Sequence, residues 1–101
     1  MPLHHVAMFK WEEGLDEGHV ERVREGLDSM PGAIEQIRGY VHGADIGVLE
    51  GTYDYVVVAD FDNVEAFHAY RDHPHHMQFI EGVMKGNIAQ RASVQYMTGP
   101  S

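Results

Sequence analysis

The segment LHHVAMFKW, residues 3–11, constrains the fold more than any other stretch, because it alternates like a β-strand yet carries apolar side chains on both faces. One face is formed by Leu3, His5, Ala7, Phe9 and Trp11, and the other by His4, Val6, Met8 and Lys10. A strand of this kind belongs in a sheet that is covered on both sides. We therefore expect one sheet face to pack against helices of the same chain and the other against a partner.

A helix is predicted after this strand, from an apolar stripe at helical spacing. The stripe consists of Val20, Val23, Leu27 and Met30. Asp16 is expected to cap the N-terminus of the helix, with Leu15 placed for a hydrophobic staple. The triplet Met30-Pro31-Gly32 is expected to end it.

Two strands are predicted in the middle of the chain. The segment AIEQIRGYVHGAD, residues 33–45, is weakened by two glycines, which indicates a strand with a bulge or at an exposed edge. IGVLEGT, residues 46–52, predicts a loop. TYDYVVVADF, residues 52–61, is rich in β-branched and aromatic residues and is the strongest strand.

A proline divides the helical region that follows. Asp62 and Glu65 match a capping box for the first helix. This helix should stop at Asp72 or His73, because Pro74 disfavours the helical conformation in the residue before it. Pro74 itself suits the first turn of a new helix.

The predicted order is a βαββαβ plan. Gly86-Asn87 is expected to close the last helix, and IAQRASVQYM, residues 88–97, predicts the final strand. The fold class is therefore α+β, with an antiparallel sheet and helices on one side. Residues 1–101 suit a single domain. A chain this small with 44% hydrophobic residues is expected to bury its uncovered sheet face in a homodimer.

Composition excludes several classes of partner and chemistry. The net charge is −9, from 16 acidic and 7 basic residues, and no basic stripe is present. Neither nucleic acid nor an anionic membrane surface is therefore expected as a partner. The absence of cysteine excludes disulfides and thiolate chemistry. The N-terminus lacks a signal-peptide pattern and no apolar run approaches membrane-spanning length, so a cytoplasmic protein is expected.

Two neighbouring histidines differ in where helical geometry should point them. In the helix that opens at Pro74, His76 is expected to face the sheet, whereas His75 is rotated by ~100° toward solvent. The apolar residues that share the stripe of His76 are Phe79, Ile80 and Val83.

Two further polar residues are expected near His76. His5 lies on the strand face of Ala7 and Phe9, and Tyr70 lies on the apolar side of the preceding helix. A hydroxyl and two imidazoles around an apolar space can transfer protons and polarise a carbonyl. Three buried polar groups bonded to the backbone would fit the same periodicity, so both interpretations stay open.

A metal site in the histidine cluster is disfavoured. His73 and His76 are three residues apart and could share an ion, with Asp72 or His75 as a third ligand. The proline bend splits this set, and no spaced metal-binding motif is present. We expect neither a metal nor a cofactor.

Several segments together resemble the stress-responsive A/B barrel, or Dabb, family. They are HHVAMFKW, YDYVVVADFDNVEAFHAY and the HPHH that follows, and the most specific part is Y-x-x-H-P-x-H, formed by Tyr70, His73, Pro74 and His76. The resemblance spans nearly the whole chain. It implies a single Dabb domain with a ferredoxin-like fold and a homodimer whose two sheets close into a dimeric α+β barrel.

The resemblance also implies a candidate site. Most members of the family have no assigned activity, but one characterised plant member closes a linear polyketide by an intramolecular aldol condensation without a cofactor. Its catalytic histidine and tyrosine correspond to His76 and Tyr70, and its pocket histidine to His5. The predicted pocket differs from that of the plant member at Ala7 and Phe9, so the identity of its substrate cannot be carried over to this chain.

We therefore expect a protein that binds a small, largely apolar carbonyl or phenolic molecule between sheet and helices. As a cofactor-independent cyclase or isomerase, it would use His76 as general base, Tyr70 toward the developing oxyanion and His5 to hold water or substrate. The expected apolar wall consists of Ala7, Phe9, Phe79, Ile80 and Val83. The alternative is a non-catalytic, stress-associated dimer. A haem or flavin monooxygenase on the related barrel fold has no supporting motif.

Overall fold

The sheet and its helices follow the predicted order, in a computed structural model that describes residues 2–99. The elements are β1 (Leu3–Trp11), α1 (His19–Asp28), α2 (Met30–Ala33), β2 (Gly39–Ala44), β3 (Tyr55–Phe61), α3 (Val64–Asp72), α4 (Pro74–Phe79), a π-helical turn (Ile80–Met84) and β4 (Ile88–Met97). All pairings are antiparallel, in the strand order β2-β3-β1-β4. The βαββαβ plan is confirmed, and the fold is α+β and ferredoxin-like.

The core lies between the helices and one face of the sheet. In β1 and β3 every second side chain is buried there, as the alternation predicts. The helices contribute Val23, Leu27, Met30, Phe67, Phe79 and Met84 to the same core. The strand faces read from the sequence are thus confirmed.

The opposite face of the sheet is apolar and open. Val6 pairs with Val58 on one side and with Val94 on the other, and Val58 pairs in turn with Val41. Val41 and Val94 are 64% and 54% exposed. The loop residues Ile46, Thr52 and Tyr53 border one end of this face, beside Met8 and Val56. We call this face the open sheet face.

Both predicted helix caps are wrong by one or two residues. The N-cap of α1 is Gly18, without a side-chain bond. Asp16 lies ahead of the first turn, where its carboxylate accepts a hydrogen bond from Arg22 at 2.8 Å. At α3 the cap is Asn63, whose side chain accepts from the Ala66 N–H at 2.8 Å. Adjacent cap-type residues cannot be ranked without the backbone, and here Asn63 takes the extended conformation that a cap requires.

Two predicted boundaries also differ from the structure, and a third is confirmed. The triplet at residues 30–32 does not end a helix but forms most of α2, with Pro31 in its first turn. The strand predicted over residues 33–45 is reduced to β2, although its edge position is confirmed. The last helix ends at Met84 in a π-helical turn, and Gly86-Asn87 closes it as predicted, with Gly86 at φ 84° and the Asn87 N–H donating to the Met84 carbonyl at 3.0 Å.

Other boundaries are confirmed. Residues 46–52 form neither helix nor strand, α3 ends at Asp72, and α4 begins at Pro74. The final strand spans residues 88–97 as predicted. Among the helices of residues 2–99, none has the length and apolarity needed to cross a membrane.

Candidate functional site

A cavity of about 450 Å³ lies between the helices and the half of the sheet formed by β1 and β4. This volume falls in the range of small-molecule sites. Seven of the eight predicted site residues line it, namely His5, Ala7, Phe9, Tyr70, His76, Phe79 and Ile80. Val83 is half-buried against the core and is not among the described lining residues, whereas Met84 is. The π-helical turn from Ile80 onward changes the 3.6-residue period on which the prediction of Val83 relied.

The break at Pro74 brings Tyr70 and His76 together. His73 takes an extended backbone between α3 and α4, and its Nδ1 accepts a hydrogen bond from the His75 N–H at 3.1 Å. The chain therefore changes direction within one residue. As a result, the rings of Tyr70 and His76 lie with centroids 4.4 Å apart. His73 thus braces this turn through its side chain.

His76 is held as a neutral imidazole with one nitrogen free. Its Nδ1–H donates to the Arg71 carbonyl at 3.1 Å, which leaves the lone pair on Nε2. Burial lowers the pKa of His76, the hydrogen bond to the Arg71 carbonyl opposes this shift, and lesser effects of the charges of Arg91, Arg71 and His73 lower the pKa further. The ring is therefore in its basic form at pH 7.

His5 is also neutral, with the opposite tautomer. The side-chain amide of Gln95 donates to His5 Nδ1 at 2.8 Å, so the proton of the ring lies on Nε2. Burial, followed by the charges of Arg91, His76 and Arg71, lowers the pKa of His5 to about 4. Its ring centroid lies 6.4 Å from that of Tyr70. The cavity thus holds one imidazole that can accept a proton and one that can donate a hydrogen bond.

Tyr70 is oriented by a second tyrosine that the sequence analysis missed. The hydroxyls of Tyr70 and Tyr40 are 2.8 Å apart, and burial raises the pKa of both phenols. Either hydroxyl can donate in this bond, and Tyr70 is the acceptor when Tyr40 donates. The proton of Tyr70 is then free to point elsewhere. The sequence does contain a signal for Tyr40, because Tyr40 and His42 are two positions apart on β2 and therefore share one face of the strand.

The polar wall contributed by β4 was also missed. Arg91, Ser93 and Gln95 line the cavity. They pair with Phe9, Ala7 and His5 respectively. Their alternation is readable in the sequence, but their position beside β1 depends on the strand register. Arg71 joins them from the last turn of α3.

His75 does not point to solvent, contrary to the prediction. It is half-buried, and its Nε2 lies 2.7 Å from Ser29 Oγ, whose own proton goes to the Gly26 carbonyl at 2.6 Å. His75 therefore donates to Ser29 and links the start of α4 to the end of α1. Helical rotation alone could not show this, because α1 packs beside α4. In residues 2–99, no group of three or more potential ligands is arranged to hold a metal ion.

These features define the class of protein: a ferredoxin-like α+β chain with a pocket between its helices and the β1–β4 half of its sheet. The model of the Stress Responsive A/B Barrel Domain matches residues 3–98, and the chain belongs to that family.

Relatives in sequence and structure agree with this assignment. The stress-response A/B barrel domain-containing protein HS1 of Arabidopsis thaliana is 25% identical over 97 residues, which cover 94% of this chain and 88% of HS1. A dimeric ferredoxin-like protein of unknown function from Thermobifida fusca is 37% identical, with a TM-score of 0.89 over 97% of this chain and 92% of that one. A hydroxynitrile lyase from Passiflora edulis shares the fold at 10% identity, with a TM-score of 0.84 over 99% and 95% of the two chains.

Proposed function

We propose that this protein is a homodimer that binds a small, largely apolar carbonyl or phenolic molecule in the cavity and removes a proton alpha to its carbonyl, as a cofactor-independent cyclase or isomerase does. One observation carries the proposal: a neutral imidazole with a free Nε2 lies against a phenol in a cavity of ligand size. The cytoplasmic location and the single domain over residues 1–101 remain predictions.

His76 is the proposed general base. The bond from Nδ1–H to the Arg71 carbonyl holds the ring and directs the basic nitrogen away from that carbonyl. Because burial lowers the pKa of His76, the base is unprotonated at neutral pH and does not have to lose a proton first. A positioned base of this kind contributes a rate factor of about 10²–10⁴.

Tyr70 and His5 are the proposed hydrogen-bond donors to the oxygen that becomes negative as the proton leaves. With Tyr40 as the donor of their shared bond, Tyr70 keeps its own proton available, and His5 carries its proton on Nε2. Donors that are already oriented cost little reorganisation when charge develops on the substrate. The three rings lie close enough together to contact one small ligand.

The apolar wall supports an apolar ligand. Ala7, Phe9, Phe79 and Ile80 line the cavity beside the polar groups. Contacts of this kind supply binding free energy in proportion to the apolar surface that they remove from water. We propose that they hold the body of the ligand while the polar groups fix its carbonyl.

The open sheet face supports the homodimer. Exposed valines on the edge strands β2 and β4, beside the half-buried Val6 and Val58 of the central strands, favour burial against a second apolar surface. The Thermobifida fusca relative is described as dimeric. We propose that two open sheet faces meet to close an α+β barrel, with an interface on the order of 1,500 Å² or more.

A non-catalytic dimer is the second candidate, and one observation favours it. Each of the three proposed site residues already has a partner: Tyr70 has Tyr40, His5 has Gln95 and His76 has the Arg71 carbonyl. A network of this kind also stabilises a fold. One protein of this fold is a hydroxynitrile lyase, so the fold accommodates enzymes, but at 10% identity no residue role follows.

Proton abstraction can be tested without knowing the natural substrate. The exchange of alpha-protons for deuterium in a set of aryl ketones and β-diketones would be followed by proton NMR, with and without protein. We expect the protein to accelerate exchange for at least one compound that it binds. His76→Gln should remove most of the acceleration, and Tyr70→Phe should reduce it while binding persists.

His68→Gln serves as the matched control, because His68 is an exposed histidine of α3 outside the cavity. Equal acceleration by His76→Gln and by the wild type would refute the role of His76 as base. Binding without acceleration by the wild type would favour the non-catalytic dimer.

A further inference from the structure

The arginines of this chain fall into two groups by their ionic partners. Three of the five form ion pairs with carboxylates at the surface: Arg22 with Asp16, Arg24 with Glu21, and Arg38 with Asp62. The other two, Arg71 and Arg91, form no ion pair with any described residue, although the chain has 16 acidic residues. Both of these arginines line the cavity.

Arg71 and Arg91 approach the cavity from two directions. Arg71 lies in the last turn of α3, with its guanidinium 6.0 Å from the centre of the Phe67 ring. Arg91 lies on β4, opposite Phe9 of β1. Both are exposed, so they lie at the rim, while buried aromatic residues such as Phe9 and Phe79 form the interior. A ligand could therefore place its apolar body inside and a charged group at the rim.

The cavity wall carries positive charge, which is opposite in sign to the net charge of the chain. Its two histidines are neutral, and its one carboxylate, Glu81, is paired with Lys85 at 3.2 Å. The positive charges of Arg71 and Arg91 lower the pKa of both His5 and His76, which indicates that their field reaches the polar wall. In a protein of net charge −9, a positive cavity favours the entry of anions over the rest of the surface.

We infer that Arg71 and Arg91 bind a carboxylate, so that the ligand of this cavity is a carbonyl or phenolic acid and not a neutral compound. The inference rests on the proposed function of the cavity and names its substrate class. Guanidinium groups match the planar geometry of a carboxylate and form two parallel hydrogen bonds with it. The acid group would lie at the rim, and the carbonyl or phenol end would reach Tyr70 and His76.

The test compares two probes of nearly equal size and shape, 4-hydroxybenzoate and the neutral 4-hydroxybenzamide. Isothermal titration calorimetry at neutral pH would measure the affinity of each for the full chain. We expect the acid to bind about tenfold or more tightly than the amide, since hydrogen bonds to charged groups are the stronger ones. Added salt should weaken binding of the acid and leave binding of the amide nearly unchanged.

Variants separate charge from packing. Arg91→Gln and Arg71→Gln should each reduce the preference for the acid while affinity for the amide stays the same. Arg91→Lys should keep part of the preference, because the charge remains. Arg22→Gln is the control, since Arg22 is a surface arginine that pairs with Asp16. The thermal midpoint of each variant would show whether it is folded.

The outcomes distinguish this inference from the proposed function. Equal binding of acid and amide by the wild type would overturn carboxylate recognition and leave the proposed pocket intact. An equal loss of preference in Arg22→Gln and Arg91→Gln would also overturn it, because the effect would then come from net charge. Failure of both probes to bind, together with failure of the ketones used above, would reject the pocket and this inference with it.

Discussion

Protonation of His5 should destabilise the folded protein as the pH falls. Burial, with the nearby charges of Arg91, His76 and Arg71, lowers the pKa of His5 from 6.5 to about 4. Between these pH values the unfolded chain binds a proton at this residue and the folded chain does not. The free energy of unfolding should therefore decrease as the pH falls from 6.5 toward 4, and the contribution is fully present above pH 6.5.

The size of the effect follows from the gap between the two pKa values. At about 1.4 kcal/mol for each pH unit, the gap for His5 corresponds to about 3 kcal/mol. A domain of this size is stable by about 5–15 kcal/mol, so the loss is a large share. The pKa values of His76 and His19 are also lowered, mainly by burial. Their protonation should therefore lower the free energy of unfolding further as the pH falls.

The assay is urea unfolding at several pH values and a fixed protein concentration, with wild type and His5→Gln compared. Glutamine keeps a neutral group that can accept the hydrogen bond from Gln95 but does not titrate. The curve of the wild type should be steeper by up to about 1.4 kcal/mol per pH unit within this window. All other titrating groups are common to both proteins and cancel in the difference.

Two results would refute this reasoning. The first is a pair of parallel stability curves for wild type and His5→Gln. The second is an NMR titration in which the His5 imidazole has its midpoint near 6.5. His68→Gln controls for the loss of one imidazole at an exposed position.

Three further predictions concern the interface and the fold. Val94→Glu should place a charge on the open sheet face and yield an 11.4 kDa monomer in sedimentation equilibrium. The control Val64→Glu, at an exposed valine of α3, should leave the dimer intact. A monomeric wild type would reject the homodimer. Asn63→Ala should lower the free energy of unfolding by about 1 kcal/mol through loss of the cap, and Asp62→Ala by much less; the reverse order in urea unfolding would contradict the assignment. His19→Phe should raise the thermal midpoint of unfolding, because both ring nitrogens of this buried residue lack a hydrogen-bond partner among the described residues. An unchanged or lower midpoint would show that these nitrogens are hydrogen-bonded.

The positions that were predictable from the sequence depend on local stereochemistry. Side chains alternate in any strand, so His5, Ala7 and Phe9 could be assigned to one face before the fold was known. Proline restricts its predecessor wherever it occurs, so the break at Pro74 was predictable too. The placement of Tyr70 and His76 around one cavity follows largely from that break.

Tertiary structure alone decided the features that join distant parts of the chain. Gln95 bonds to His5 across 90 positions in the sequence, which depends on strand order and register. Tyr40 bonds to Tyr70 across 30 positions, which depends on how α3 packs against the sheet. His75 contacts Ser29 because α1 lies beside α4, which no helical period could reveal. The cap at Asn63 was decided by one extended backbone position. Periodicity reports the direction of a side chain on its own element, whereas its partner is set by how the elements pack.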